Sequence, residues 1–254
     1  MTISVFVEGG LGNQLFQIFA CIGTAFEQRV AFRLPHSKHD ATSAKGSPRP
    51  TYWDTLLSRL TPFLTDNVYK WSQMYRQPSF RYHEVPTFQE NVDVRMHGYF
   101  QSYRFFEKHE DKIIRMLQIE DKRSSVQKKF PILRDDCVTV SLHFRLGDYK
   151  HLNGFHEILP YDYYVKALVH IINCISNGPI RLVYFGESED HEANRVSIER
   201  LRNDVALTTS ERVLEYVQCP YDATDWEQML LMSCCDHHVI ANSSFSWWGA
   251  RFNP

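Results

Sequence analysis

The apolar positions in the first half of the chain follow two different periods. A β-rich run at residues 3–7 meets two glycines, and an apolar stripe at helical spacing comes after them. That stripe consists of Leu11, Leu15, Phe19, Ile22 and Phe26. The pattern predicts a strand, a tight turn and a helix. The same spacing predicts a second helix over residues 106–117. Residues 34–50 show no period and many breakers, so we assign them no regular structure.

The second half of the chain shows the same alternation of predicted strands and helices. Continuous apolar runs predict strands at residues 137–142, 180–185 and 238–240, and amphipathic spacing predicts helices at 164–175 and around 226–233. A last turn is expected over residues 242–248. Strands that alternate with helices favour mostly parallel sheets, in which ligands bind beyond the carboxyl ends of the strands. Functional residues are therefore expected in the loops that follow the predicted strands.

Composition excludes several classes of protein. The 254 residues carry 28 basic and 30 acidic side chains, a net charge of −2, which gives no sign of nucleic-acid binding. Charged residues interrupt every apolar stretch well before the roughly 20 residues that a membrane span needs. The amino terminus has no secretion signal, and six scattered cysteines favour free thiols. We expect a cytoplasmic protein without a membrane span.

The first loop of interest, GGLGNQ at residues 9–14, lies between the first strand and its helix. Glycines at such a junction let backbone amides approach an anion, such as a phosphate. A purely structural turn is the alternative. The dinucleotide fingerprint fails, because Leu15 stands where its third glycine belongs and no ribose-binding acid follows. The candidate ligand-binding residues here are Gly10, Gly12, Asn13 and Gln14.

The second loop, HFRLGDY at residues 143–149, directly follows a predicted strand. His143 and Arg145 alternate, so they share a face if the strand continues. A planar guanidinium suits bidentate binding of a diphosphate. The alternatives are an ordinary ion pair between Arg145 and Asp148, and a structural role for His143.

The third loop, ANSSFSWWG at residues 241–249, also begins at a strand end. Asn and Ser at such a junction cap helices, and that role is one interpretation. In the other, the hydroxyls of Ser243 and Ser244 hold phosphate while aromatic residues such as Phe245 flank a ring-shaped ligand.

Two further clusters have the composition of metal sites. The acidic segment at residues 187–190 has residues of the kind that hold Mg²⁺ or Mn²⁺ in metal-dependent sugar transferases, although acids at a helix start are also favoured by the helix dipole. Cys234, Cys235, His237 and His238 are zinc-ligand types, but consecutive pairs point in different directions. We expect no metal at either.

Taken together, the loops resemble the α-1,2-fucosyltransferases of glycosyltransferase family 11. The segments GGLGNQLFQ at 9–17, GYFQS at 98–102, HFRLGDY at 143–149 and SSFSWWG at 243–249 are similar to the family's motifs and occur in the same order. The segment FGESED at 185–190 resembles one that lies near the nucleotide, which makes Glu187 a donor-binding candidate, although the family usually has F-S-D-D there.

The resemblance implies a GT-B-like α/β fold with two Rossmann-like lobes and a cleft between them. Residues 1–120 would form the N-terminal lobe, with the glycine loop and the acceptor side, and residues 121–254 the lobe that binds the GDP-sugar. It implies a GDP-fucose donor, a glycan acceptor, inversion at the anomeric carbon and no metal or other cofactor. Arg145 would bind the donor diphosphate, with Asn13 facing it. Members of that family commonly run several tens of residues further, so the resemblance leaves two alternatives for a truncated C-terminal lobe: the final sheet elements are absent, or an adjoining domain or a partner chain supplies them.

Transfer to a hydroxyl also requires a base. Asp148 is the first candidate, and His143, His151 and Glu157 are the others; Asp148 would otherwise orient Arg145. Two readings besides fucosyl transfer stay open: a metal-dependent transferase with another donor, and a nucleotide-sugar-binding module without turnover.

Overall fold

A computed structural model describes residues 1–36, 49–66, 71–133, 136–145, 158–175, 178–208 and 214–254. The chain divides into two compact units, Met1–Lys122 and Arg123–Pro254. The sequence-based boundary at 120/121 and this division both fall close to the start of one helix, which spans Ile119–Lys129. The roles assigned to the two lobes stay predictions.

The first unit contains a four-stranded and a two-stranded sheet, both entirely parallel. Its strands are β1 (Thr2–Val5), β2 (Ala31–Phe32), β3 (Leu34–Pro35), β4 (Leu64–Thr65), β5 (Gln73–Arg76) and β6 (Val94–His97). The larger sheet has the order β2-β1-β6-β5, and β3 pairs with β4. The helices are α1 (Leu11–Glu27) and α2 (Glu110–Leu117), with short 3-10 helices at Ser58–Phe63, Tyr103–Phe105 and Glu107–His109. The boundary to the second unit falls within α3 (Ile119–Lys129).

Helix α1 packs on β1 because this contact removes the apolar stripe of the helix from water. Leu15, Phe19 and Ile22 are fully buried, and the rings of Phe19 and Phe106 meet edge to face with 5.2 Å between their centres. The close contact at Gly23 leaves no room for a side chain, since an added Cβ would lie 2.8 Å from the carbonyl oxygen of Phe105. This packing fixes the direction in which the chain leaves the glycine loop.

The second unit holds one four-stranded parallel sheet of order β10-β7-β8-β9. Its strands are β7 (Val138–His143), β8 (Ile180–Phe185), β9 (Leu214–Gln218) and β10 (His237–Val239), and its helices are α4 (Tyr161–Cys174), α5 (His191–Thr208), α6 (Asp225–Ser233) and α7 (Ser244–Arg251). Every residue of β8 is buried, as expected of a central strand covered on both faces. Leu142, Leu182 and Leu201 belong to the apolar core beneath it.

The structure confirms the predicted α/β class with parallel sheets. One expectation was wrong: residues 34–50 were assigned no regular structure, but Leu34–Pro35 forms β3, because Leu34 is fully buried and its backbone pairs with β4. Most of the rest of that stretch lies outside the described residues. Sequence reasoning also missed β6 and α5. Within the described ranges no helix is both long and apolar enough to cross a membrane.

Candidate functional site

The candidate donor site lies where the strands of the second sheet end. Because β10, β7 and β8 are parallel neighbours, their carboxyl ends meet at one edge: Val239 pairs with Leu142, and His143 with Phe185. The segments that follow these three strands carry the predicted residues. Parallel pairing thus brings together side chains that are about 40 to 100 positions apart in sequence.

Arg145 lies two residues beyond β7 and forms an ion pair with Glu187, two residues beyond β8. The side chain of Arg145 is 19% exposed and that of Glu187 is 39% exposed. The backbone before Arg145 is fixed, since the amide of Phe144 donates to the carbonyl oxygen of Phe185 at 2.9 Å. The backbone of Arg145 also hydrogen-bonds the Tyr164 hydroxyl. The guanidinium is therefore positioned by the fold, at the edge where parallel sheets bind ligands.

His143 ends β7 beside this arginine. Its side chain is buried and its ring centre lies 5.4 Å from that of Phe245. Among the described residues, Nδ1 of His143 has no hydrogen-bond partner. Burial and the neighbouring charge of Arg145 lower the pKa of His143 to about 3. The imidazole is thus neutral near pH 7 and is a weak proton acceptor.

The third loop leads into α7. Ser243 caps this helix, since its hydroxyl accepts from the amide of Phe245 at 3.3 Å. Of the aromatic residues that were expected to flank a ligand, Phe245 contacts His143, whereas Trp248 is fully buried against Phe252 and belongs to the core. Ser244 is the first residue of the helix. The capping interpretation therefore describes Ser243, and its proposed contact with phosphate stays a prediction.

In the first unit the glycine loop joins β1 to α1. Gly9 has a φ of +79°, and an added Cβ there would lie 2.8 Å from Nδ2 of Asn13. Gly10 precedes the helix at a φ of −75°, with open space where a Cβ would be. Gly9 is required by the backbone conformation, whereas Gly10 is free of that requirement. Gly12 is buried within α1.

The two polar residues of this loop have different positions. Gln14 is fully buried, and its amide nitrogen donates to the carbonyl oxygens of Gly9 at 3.0 Å and Pro50 at 2.9 Å. That nitrogen therefore holds the turn together. Asn13 is half-buried, and its Oδ1 accepts from Nε2 of Gln101 at 2.8 Å. Gln101 belongs to the GYFQS segment after β6, so two of the recognised motifs meet at adjacent strand ends.

Sequence reasoning missed two residues at the carboxyl edge of the larger sheet in the first unit. Glu8 follows β1 and His97 ends β6, and the two side chains lie 3.8 Å apart. The available signal was short: β6 alternates buried Val94 and Met96 with half-buried Arg95 and His97, the period of a strand, over only four residues.

The remaining predicted residues fall into two groups. Asp148, His151 and Glu157 lie outside the described residues, as does the proposed contact between Asp148 and Arg145. In the zinc-like cluster, His238 bonds the Ser141 hydroxyl at 2.8 Å and buried Cys235 contacts the carbonyl oxygen of Leu231. The part of the chain that the structure describes contains no group of three or more His, Cys, Asp or Glu side chains placed to hold a metal ion.

Comparison with known proteins identifies the family. Residues 60–253 match the model of Glycosyl transferase family 11, which is more than half of the chain. The chain belongs to glycosyltransferase family 11. The match includes the segments that carry Gln101, Arg145, Glu187 and Ser243, and it begins after the glycine loop.

This family 11 chain is similar to two proteins of Escherichia coli. It is 32% identical over 163 residues to the O-antigen biosynthesis glycosyltransferase WbnK, a match that covers 61% of this chain and 49% of that protein. It is 24% identical over 271 aligned positions to an alpha-1,2-colitosyltransferase, covering 96% of this chain and 85% of that protein. The chain thus spans about half the length of WbnK.

The fold of this family 11 chain also has a solved counterpart. A mutant of Arabidopsis thaliana FUT1 in complex with GDP superposes with a TM-score of 0.52 at 10% identity, covering 99% of this chain and 68% of that one. At this identity the likeness concerns the fold alone, and it confirms the predicted GT-B type.

Proposed function

We propose that this chain transfers L-fucose from GDP-fucose to a hydroxyl of an acceptor sugar, with inversion and without a metal ion. The proposed linkage is α-1,2 to a galactose-type residue. Family membership supports the reaction class. The observation that carries the proposal is Arg145, a fixed and mostly buried guanidinium at the carboxyl edge of a parallel sheet.

The chemistry of the reaction explains why such a cation is needed. When fucose leaves GDP, the bond between its anomeric carbon and the diphosphate breaks and the electron pair stays on the phosphate oxygen. Negative charge therefore grows on the leaving group, while the sugar ring becomes oxocarbenium-like. A preorganised guanidinium stabilises that charge at the moment it develops, and its planar shape can grip two phosphate oxygens. Arg145 has this role in our proposal.

Other groups at the same edge assist Arg145. Backbone amides at the start of α7, beside Ser243 and Ser244, lie at the positive end of a helix dipole. Phe245 and His143 together offer an aromatic wall near this end. The glycine loop of the first unit is a separate candidate for anion binding, through Gly10, Gly12 and Asn13, and the exposed Gly10 leaves its backbone accessible.

A melting screen tests the donor. The purified chain is heated with GDP-fucose, GDP-mannose, UDP-galactose or NAD, each with and without EDTA. We expect GDP-fucose to raise the melting temperature most, with no effect of EDTA, and GDP to be released when a galactose-terminated acceptor is added. Stabilisation without GDP release for any acceptor would favour a binding module, and loss of activity in EDTA would favour the metal-dependent reading.

One observation favours a second donor sugar. The relative that covers 96% of this chain is named an alpha-1,2-colitosyltransferase, so colitose is the alternative to fucose. Colitose lacks one hydroxyl of fucose, and a site built to hydrogen-bond that hydroxyl discriminates strongly against its absence. The ratio of kcat/KM for GDP-fucose and GDP-colitose therefore distinguishes the two.

The proposed location of this reaction is the cytoplasm. The six cysteines all lie within the described residues and form no disulfide there, which suits a reducing compartment.

A further inference from the structure

A carboxylate and an imidazole meet at the carboxyl edge of the first sheet. Glu8 follows β1, and its Oε1 lies 3.8 Å from Nε2 of His97, at the end of the neighbouring strand β6. Both side chains reach solvent, at 27% and 33% exposure. This distance is too long for a hydrogen bond, so the contact leaves the carboxylate oxygens available to another donor.

His97 is oriented from its other side. Arg76, its paired residue on β5, has Nη1 2.9 Å from Nδ1 of His97. Because arginine can only donate, Nδ1 of His97 accepts, and the ring proton is carried on Nε2, toward Glu8. The Phe6 ring packs against the imidazole with 4.8 Å between centres, and the guanidinium of Arg95 lies 3.5 Å from the centre of the Phe6 ring. The imidazole is therefore held in one orientation by two strands.

Glu8 is also fixed at its backbone. Its amide donates to Oε1 of Gln17 at 2.8 Å, and Gln17 is fully buried on α1. The backbone that carries the carboxylate is therefore held in place, directly before the glycine loop. This position is what a group needs if it is to meet a substrate in one geometry.

An aromatic surface adjoins the carboxylate. Tyr99 follows His97 by two residues, and burial together with the charge of Glu8 raises the pKa of its phenol, so the ring lies within electrostatic range of this carboxylate. The ring of Tyr99 stacks on Phe80 at 6.1 Å between centres and 17° between planes, and Phe80 is 78% exposed. An exposed aromatic ring beside a polar group suits a pyranose, which has an apolar face and a rim of hydroxyls.

We propose that the acceptor sugar binds on this face, made of Glu8, His97, Tyr99 and Phe80, and that Glu8 removes the proton from the acceptor hydroxyl. The inference rests on the proposed function and adds the acceptor subsite and the base. Tyr99 and Phe80 contact the sugar, and His97 acts as a positioning residue through Glu8.

The transfer to the acceptor hydroxyl requires no further reagent. The acceptor oxygen forms a bond to the anomeric carbon on the face opposite the diphosphate, and the hydroxyl proton passes to a carboxylate oxygen of Glu8. The bond from the anomeric carbon to the phosphate oxygen breaks, and its electron pair leaves with GDP. Glu8 then releases the proton to water. His143 is a poor alternative, because it is buried and its lowered pKa makes it a weak base.

Glu8→Gln tests the base. The amide keeps the shape of the side chain and loses the basic oxygen, so we expect kcat for transfer to fall about 10²–10⁴-fold, the range for lost general-base catalysis. GDP-fucose should raise the melting temperature of the variant as much as it does for the parent chain. Glu8→Asp, which keeps a carboxylate, should recover part of the activity, and this separates the role of the charge from a folding defect.

Glu27→Gln is the matched control. Glu27 also pairs with a histidine, His109, at 3.1 Å, but it lies at the opposite end of α1 and should leave activity unchanged. Phe80→Ala should raise the acceptor KM with little change in kcat, because Phe80 only binds. His97→Gln should lower kcat without changing donor binding.

The outcomes distinguish a failure of the proposal for Glu8 from a failure of the proposed function. If the parent chain transfers fucose and Glu8→Gln stays within a few-fold of it, Glu8 is not the base and this inference is overturned while the proposed function stands. If the parent chain neither binds GDP-fucose nor releases GDP with any acceptor, the proposed function fails and this inference fails with it.

Discussion

Glu187 forms an ion pair with Arg145 across the ends of two adjacent parallel strands. The two residues are 42 positions apart, and the register of β7 against β8 brings them together. In the absence of a nucleotide this carboxylate neutralises the guanidinium and holds its orientation. If Arg145 binds the donor diphosphate as proposed, the diphosphate oxygens compete with this carboxylate for the same donors. We therefore expect the ion pair to affect how tightly nucleotide binds.

Removing the guanidinium should greatly reduce the rate of transfer. We expect Arg145→Ala to lower kcat by about 10²–10³-fold, the cost of losing one preorganised stabiliser of charge. Arg145→Lys should also be poor, since a point charge cannot make a two-pronged contact. Arg195→Ala is the control, because Arg195 is an exposed arginine of the same unit that pairs with Glu192 and Glu199. Steady-state kinetics with GDP-fucose checks this, and full activity of Arg145→Ala would remove Arg145 from the mechanism.

Removing the carboxylate should strengthen nucleotide binding. We expect Glu187→Gln to bind GDP about fivefold more tightly, near 1 kcal/mol, because a partly exposed ion pair has an energy of that order and the competing charge is gone. Isothermal titration calorimetry measures the change. Glu189→Gln removes the same charge from an exposed position two residues away and should change affinity less. Weaker GDP binding by Glu187→Gln would instead make Glu187 a direct nucleotide contact.

Low pH should destabilise the fold through His143. The folded pKa of about 3 is below the ordinary value of 6.5, so the unfolded chain binds more protons between these values and stability falls as pH drops below 6.5. At pH 5 this amounts to about 2 kcal/mol relative to pH 7.5. Urea unfolding of His143→Phe should therefore lose about 2 kcal/mol less than the parent chain over that interval. His170→Phe, at an exposed position, should follow the parent chain.

Two neighbouring glycines should respond differently to alanine. Gly9→Ala meets both a positive φ and the side chain of Asn13, so we expect a loss of about 1–2 kcal/mol of folding stability. Gly10→Ala has open space and an ordinary φ, and should fold normally. If this loop binds the donor, Gly10→Ala should still weaken GDP-fucose binding by obstructing the exposed backbone. Normal donor affinity in Gly10→Ala would identify the loop as a structural turn.

The candidate residues differ in how far sequence reasoning could assign them. Arg145 was predictable, because a motif directly after an apolar strand places it at a strand end. Its ion pair with Glu187 was not predictable, since the two residues are 42 positions apart and only the register of β7 against β8 brings them together. Gln14 was expected to bind the donor, and that stays a prediction; only the tertiary structure shows that its buried amide nitrogen donates to the carbonyl oxygens of Gly9 and Pro50.

Local pattern was sufficient for elements that bury a continuous or periodic apolar face, such as β8, α1 and α4. It failed for α5, whose sequence HEANRVSIERLRNDVALT is mostly polar, because that helix needs only a few buried contacts, among them Ile198, Leu201 and Val205. It also missed β6, a four-residue strand whose alternation is too short to be distinctive.

The sequence by itself determined the alternation of strands and helices, the family motifs and the residue types needed to bind a diphosphate, because these depend on local periodicity and side-chain chemistry. Only the tertiary structure decided which of those residues meet. The pairing of β1 with β6 brings Glu8 to His97, and that of β7 with β8 brings Arg145 to Glu187. Strand order and register come from burying sheet faces against helices far away in sequence, and no local pattern specifies them.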